Sequence, residues 1–241
     1  MSAHGSISIA LLTHNETAQF HWLMQVLAPA LPIIDEIVVV DDFSDDECVA
    51  AIRSYESTMP LRFFQHSLDR NFAQQRNYMK SLCRGDFIFY LDPDELPSDD
   101  LVRGLPRIFQ MMAEADIDAC TLPRLNILYQ SDQPLHPRSL DIEDPSYRVH
   151  WEDQFRLLRN SPGLYWTMPL NEYLTGMRRC YRFPQALRYA LLHPKTVTHG
   201  LKRLEFYRSF RFRNLNKYKN SIVKRLPWRP KIEWIAAEPP I

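Results

Sequence analysis

The chain has 241 residues, of which 45% are hydrophobic and 24% charged, and its acidic and basic side chains balance to a net charge of zero. That profile fits a folded globular chain and excludes a disordered or fibrous one, and the length suits one large domain or a domain with an extension. No apolar run approaches the roughly 20 residues that span a bilayer; the opening run 7–12 has no basic flank and no small-residue cleavage site, so no secretory signal is expected.

Residues 7–13 read as a strand, and 17–30 as a helix ended by Pro29 and Pro32. The β-branched run 37–40 is too short and too apolar for anything but a buried strand. Ser44, with Glu47 three residues on, forms a capping-box pattern that opens a helix to about Tyr55. Residues 61–65 are a third strand candidate. Asn71 can cap a helix that runs to Arg84 and ends at Gly85, and residues 86–91 make a fourth strand. Strands separated by helices imply right-handed βαβ units and an α/β fold with a mostly parallel sheet. The second half is less regular. It suggests a helix over 98–115 punctuated by Pro97 and Pro106, a long strand over 117–129, and a Pro-, Asp- and Ser-rich loop or insertion over 130–148. Further strands are expected at 149–158 and 164–174, and a helix at 201–218.

Leu91-Asp92-Pro93-Asp94-Glu95 carries three carboxylates at the carboxyl end of the fourth strand, the edge where open α/β sheets bind ligands. Carboxylates this close repel and call for a cation. Oxygen-rich clusters suit Mg²⁺ or Mn²⁺, ions usually shared with substrate phosphates. Asp41 and Asp42 end the second strand in the same crevice and can accept hydrogen bonds from ribose hydroxyls or a base N–H; Asp45, Asp46 and Glu47 read as solvated helix-start residues. In the helix after Asn71, Phe72, Arg76, Met79 and Cys83 share one face. A guanidinium on that stripe needs a partner, either a strand-end carboxylate or a nucleotide.

These segments resemble family 2 glycosyltransferases. Residues 9–16, Ile-Ala-Leu-Leu-Thr-His-Asn-Glu, resemble that family's opening strand, and 38–46, Val-Val-Val-Asp-Asp-Phe-Ser-Asp-Asp, its second acidic strand end, with Phe43 where the family has Gly. Residues 71–77, Asn-Phe-Ala-Gln-Gln-Arg-Asn, and 91–95 resemble the branch that extends lipopolysaccharide cores and related glycans. Farther on, Arg156-Leu-Leu-Arg159 and Pro169-Leu-Asn-Glu-Tyr173 resemble that branch's later motifs, with Asn171 in place of a His. The resemblance implies a GT-A-type nucleotide-binding sandwich with a C-terminal helical extension. It places a glycosyltransferase domain over 1–200, nucleotide-binding in 1–100 and acceptor-binding in 101–200, followed by an extension over 201–241. It implies inverting, metal-dependent transfer of a sugar from a nucleotide-diphosphate donor, commonly a UDP-sugar, to a hydroxyl on a glycan or glycolipid, with Mn²⁺ or Mg²⁺. Carried over, Thr13, Asn15, Glu16, Asp41, Asp42, Arg76 and Asp92 would bind the nucleotide, and Asp94 with His199 the metal, His193 being the rival histidine. Glu172 is the first candidate for the general base that inversion needs, and Asp153, in the Glu152-Asp153 pair, the second.

A nucleotidyltransferase would use similar strand-end carboxylates but a Gly-rich, Lys-containing loop, where this chain has Thr13-His14-Asn15-Glu16. A non-catalytic nucleotide-sugar-binding module is the third reading, because Asn171 replaces the His. Charge is unevenly spread: residues 1–100 hold 16 acidic and 6 basic side chains, whereas 201–231 hold 11 Lys or Arg and one Glu. That basic stretch, interleaved with aromatics, is read either as a solvated helix face or as a peripheral contact with anionic membrane; no nucleic-acid partner is expected. The four cysteines form no CxxC pair, which suits reduced thiols in a cytoplasmic protein, at most peripheral to the membrane's inner face.

Overall fold

The computed structural model describes residues 5–131, 135–196 and 232–241. Its first half is β1 (Ile7–Thr13), α1 (Thr17–Leu27), β2 (Glu36–Asp41), α2 (Asp46–Arg53), β3 (Leu61–Gln65), α3 (Phe72–Leu82) and β4 (Phe87–Leu91). Then come β5 (Leu96–Pro97), α4 (Asp99–Glu114), β6 (Ala119–Tyr129), β7 (Arg148–Arg159), β8 (Tyr165–Thr167), β9 (Tyr173–Thr175), β10 (Arg179–Arg182), β11 (Leu191–Thr196) and β12 (Glu233–Trp234). The main sheet runs β12-β10-β6-β7-β4-β1-β2-β3, with β11 beside β6 and β5 beside β11. β7 is antiparallel to both β4 and β6, and β5 to β11; every other pairing in this sheet is parallel. This is the mixed α/β sandwich expected from the sequence.

Successive side chains of a strand point to opposite faces, and both faces are covered here. Ile7, Ile9, Leu11, Ile37, Val39, Phe87, Phe89 and Leu91 join the layer packed by α1, α2 and α4. Ala10, Val38, Val40, Ile88 and Tyr90 join the layer packed by α3 and the β8–β9 hairpin. That two-sided burial is why these strands read as continuous apolar runs. The chain moves from β1 outward to β2 and β3, then returns to place β4 on the other side of β1. The strand order therefore reverses at β1, and a crevice opens beyond its carboxyl end.

Several local expectations change. Helix α1 stops at Leu27 and the chain tightens into a 3-10 turn, Ala28–Ile33, with Pro29 at its start and Pro32 inside it; proline has no N–H to continue an α-helical ladder. Asp45 rather than Ser44 caps α2, accepting from Cys48 N at 2.8 Å, and Ser44 is occupied with Asp41 instead. Asn71 does cap α3, accepting from Gln74 N at 3.0 Å, and Ser98 caps α4, accepting from Leu101 N at 3.1 Å. Pro106 lies inside α4, whose buried stripe of Leu101, Leu105, Ile108, Phe109 and Met112 holds the helix across it. The strand expected over 164–174 is the hairpin β8–β9, broken where Met168 (φ 74°) and Asn171 (φ 53°) adopt left-handed backbone around Pro169. The helix expected over 201–218 lies outside the described residues. Residues 232–241, assigned to the same extension, include β12 paired with β10, and Ile235 and Ile241 pack on the core.

Candidate active site

The carboxyl end of β4 is a buried ionic network. Glu95 is fully buried and accepts from Arg156 Nε (2.9 Å) and Nη2 (2.6 Å) and from Arg124 Nη1 (2.8 Å). Arg156 Nη2 also reaches Asp92 Oδ2 at 2.9 Å, and Arg76 Nη2 reaches Asp92 Oδ1 at 3.3 Å. Arg76 Nε donates to Glu172 Oε1 at 2.7 Å, and Arg124 Nη2 to Glu152 Oε2 at 2.5 Å. Burial alone would raise the Asp92 and Glu95 carboxyls, but Arg156 leads a set of guanidiniums that outweighs it and holds both below the usual carboxylate range. Both stay ionised at neutral pH. Arg76 is doubly engaged, yet its Nη1 is buried without a partner and its guanidinium lies 5.4 Å from the Trp166 ring centre.

Asp94 is treated differently. Its Oδ2 stands 2.9 Å from His193 Nε2. The other ring nitrogen, Nδ1, meets Asn126 Oδ1 at 2.7 Å. Burial lowers the His193 pKa more than Asp94 raises it, so the neutral ring is favoured. With the Nδ1 proton donated to Asn126, Nε2 and the Asp94 carboxylate present two lone pairs to each other, and a cation would satisfy both. Adjacent ligands of an octahedral ion with bonds of 2.0–2.1 Å are about 3 Å apart, close to the observed separation. Among the described residues no group of three or more His, Cys, Asp or Glu stands ready for an ion, but Mg²⁺-type sites commonly take one or two protein ligands and complete the shell with substrate phosphate and water. The donor set fits such an ion.

The β1 and β2 ends form the neighbouring wall. Thr13 is in register with Asp41. The buried Asp41 carboxylate accepts from Ser44 N (2.9 Å), Ser44 Oγ and Gln65 Nε2 (3.2 Å). Its oxygens thus shape the turn at the strand end. Asp42 Oδ1 accepts from Leu68 N at 2.8 Å, and its carbonyl meets His14 Nδ1 at 2.8 Å. Asn15, in left-handed backbone (φ 54°), donates from N to Ser44 Oγ and accepts at Oδ1 from Asp45 N, both at 2.8 Å. The Glu16 carbonyl receives Phe20 N at 2.9 Å as α1 begins. Thr13 Oγ1 is buried with no partner.

The expected residues thus divide. Arg76, Asp92, Asp94 and Glu172 converge, and Thr13, Asn15, Asp41 and Asp42 line the adjoining turns. Asp153 does not join them. On β7 it alternates with Glu152, so while Glu152 meets Arg124, Asp153 points to the other face, where it pairs with Arg182 at 3.4 Å and lines a cleft of about 490 Å³ with Tyr181 and Phe183. His199 lies outside the described residues, and the histidine brought to Asp94 is His193. Sequence reasoning left Glu95 without a role and passed over Arg124 and Asn126. Their signal is two polar residues, two positions apart, inside the apolar run of β6: one face, with Asn126 buried and Arg124 partly so, in need of partners.

The sequence matches the model of glycosyl transferase family 2 over residues 8–165, well over half of the chain. The chain belongs to that family. Proteins similar to it include the uncharacterized glycosyltransferase YfnE of Bacillus subtilis strain 168, 33% identical over 67 residues, covering 28% of this chain and 17% of that one. An uncharacterized glycosyltransferase of Rickettsia felis is 27% identical over 127 residues, covering 53% and 42%. The chain therefore spans less than half the length of these curated relatives. Among solved structures, S. aureus TarS 1–349 in complex with UDP is 14% identical with a TM-score of 0.46, covering 80% of this chain and 60% of that one. The matched segment contains the β1, β2 and β4 ends, α3, Arg124, Glu152 and Arg156.

Proposed function

We propose that this family 2 chain transfers a sugar from a nucleoside-diphosphate donor to a hydroxyl acceptor, with inversion and with the help of a divalent cation. The supporting observation is the pairing at the strand end: Asp92 and Glu95 are bound by guanidiniums, while Asp94 stands 2.9 Å from His193 Nε2, an oxygen and an imidazole nitrogen at the separation of adjacent ligands of one small ion. Around it Asp92, Glu95, Glu152 and Glu172 are bound to Arg76, Arg124 and Arg156 at a strand-end crevice. That combination suits an ion carried in with a diphosphate.

In this reading Asp94 and His193 hold the ion, and Arg76 and Thr13 orient the nucleotide. Mn²⁺ or Mg²⁺ bound there supplies Lewis-acid stabilisation of charge on the departing diphosphate. Asp92 and Glu95 act through Arg156, fixing the loop on which Asp94 sits. Glu172, on the β8–β9 hairpin, is the carboxylate we assign as the base that takes the acceptor hydroxyl proton. The acceptor is a glycan or glycolipid, and contact of residues 201–231 with anionic lipid belongs to the same reading.

Product analysis tests it. Incubation with UDP-sugars or GDP-sugars, Mn²⁺ and a hydroxyl acceptor is expected to release nucleoside diphosphate. Release of pyrophosphate from a nucleoside triphosphate would instead identify a nucleotidyltransferase, and nucleotide-sugar binding without turnover on any acceptor a binding module.

A further inference from the structure

The buried Arg76 holds two carboxylates on one guanidinium. Its Nε donates to Glu172 Oε1 at 2.7 Å, and its Nη2 to Asp92 Oδ1 at 3.3 Å. The two acids are not held alike. Asp92 is shared with Arg156, whose Nη2 donates to its other oxygen at 2.9 Å. Among the described residues, Arg76 is the one group bonded to the Glu172 carboxylate. The backbone around Glu172 is fixed from α3, the helix that carries Arg76. Asn77 Nδ2 donates to the Trp166 carbonyl and Trp166 N to Asn77 Oδ1, both at 2.8 Å, and Phe72 N donates to the Pro169 carbonyl at 2.9 Å. Helix and hairpin therefore keep their spacing without the ion pair. Glu172 can leave Arg76 by rotation of its side chain alone.

Carboxylate and phosphate offer a guanidinium the same thing, anionic oxygens that match its planar fork. A third anion on Arg76 would repel the two already there, and the one with least support is the one that gives way. We propose that the Glu172 carboxylate stands in for a donor phosphate on Arg76, and that the incoming diphosphate displaces it. This rests on the donor-site reading above and adds a link between its two halves. Until the donor is bound, Glu172 Oε1 is engaged with Arg76. Once displaced, Glu172 is free to take the acceptor proton while the acceptor oxygen bonds the sugar carbon. The sugar–phosphate bond then breaks, and its electron pair leaves with the nucleoside diphosphate. Arg76 thus makes release of the base depend on arrival of the donor.

The experiment compares the full chain with Glu172→Gln and Glu172→Asp by titration calorimetry with UDP and with uridine in the presence of Mn²⁺, and by urea unfolding. Glu172→Gln removes the internal competitor and is expected to bind UDP about tenfold more tightly, the size of one charge-assisted hydrogen bond. Uridine, which lacks the diphosphate, should bind as it does to the unsubstituted chain. Glu172→Asp keeps the charge but is one methylene shorter, so it should also tighten UDP, by less, and it decides the matter if Glu172→Gln does not fold. UDP bound equally or more weakly by Glu172→Gln overturns the exchange alone and makes the ion pair structural. A gain in Glu172→Gln with parental affinity in Glu172→Asp also overturns it, because lost charge rather than lost contact would then be the cause. So does an equal gain for uridine. Absence of UDP binding by the unsubstituted chain overturns the donor-site reading itself and the exchange with it.

Discussion

Arg156 is nearly fully buried and bridges Asp92 and Glu95. Removing one partner of a buried ion pair strands the other charge, which typically costs about 3–5 kcal/mol. Arg156→Met is therefore expected to lower stability by roughly that amount in urea unfolding. Pairing it with Glu95→Gln should recover part of the loss, because the stranded charge is gone. An Arg156→Met chain as stable as its parent would show that the network does not hold the site. Asp94 was legible in the sequence because it follows a buried run directly. His193 was harder: nothing in its neighbourhood separates it from His199, and its role comes from β11 running parallel to β6, which sets it opposite Asn126. Glu152 and Asp153 were adjacent and chemically alike in sequence. Only the pairing register of β7 with β6 decides which one meets Arg124.

Elements were more legible than their ends. The four strands and three helices of the first half follow from short apolar runs punctuated by Asn, Gly and Pro, and Asn71 and Ser98 cap as their types suggest. Asn71→Ala should cost about 1 kcal/mol, seen as a lowered unfolding midpoint, and a further effect on nucleotide binding is expected because α3 carries Arg76. Gly85, between α3 and β4, is more severe. A Cβ there would sit 2.7 Å from the backbone nitrogen of Ser8, so Gly85→Ala must shift β1 against β4 and is expected to lower the unfolding midpoint. A neutral Gly85→Ala would mean these strands are more loosely coupled than their pairing implies. The β8–β9 hairpin escaped the sequence because its break depends on left-handed Met168 and Asn171, which neither residue type announces as Gly would.

At the scale of the molecule, buried acids tie the sheet together. Glu36 bonds Ser8 Oγ at 2.6 Å, Arg62 Nη1 at 2.6 Å and Arg84 N at 2.5 Å, joining β2 to β1, β3 and the end of α3. Burial works to raise its pKa, but these bonds, with Arg84 N foremost, outweigh it and lower it; Glu95 is lowered likewise by Arg156. A carboxyl with a folded pKa below its unfolded value contributes stability that is present above the unfolded value, about 4.3 for Glu, and lost as pH falls through the folded one. The unfolding midpoint should therefore decline gently as pH falls below about 6.5, where His193 would take a proton only in the unfolded chain, and more steeply below about pH 4.5 as the carboxyls titrate, with Glu36→Gln less stable at pH 7 and less sensitive to acid. A midpoint that rose on acidification would contradict these assignments. Among the described residues no helix is long and apolar enough to cross a membrane.

The most direct test is sugar transfer by Asp94→Asn measured against Mn²⁺ concentration, alongside its urea unfolding curve. Asn keeps the shape of Asp and removes the charge that, in the proposed reading, would hold the ion. The expected result is transfer by the unsubstituted chain that depends on Mn²⁺ and is lost on chelation, and an Asp94→Asn chain that folds as its parent does but transfers no sugar at any Mn²⁺ concentration. Transfer that survives chelation, or an Asp94→Asn chain with parental turnover, would contradict the account.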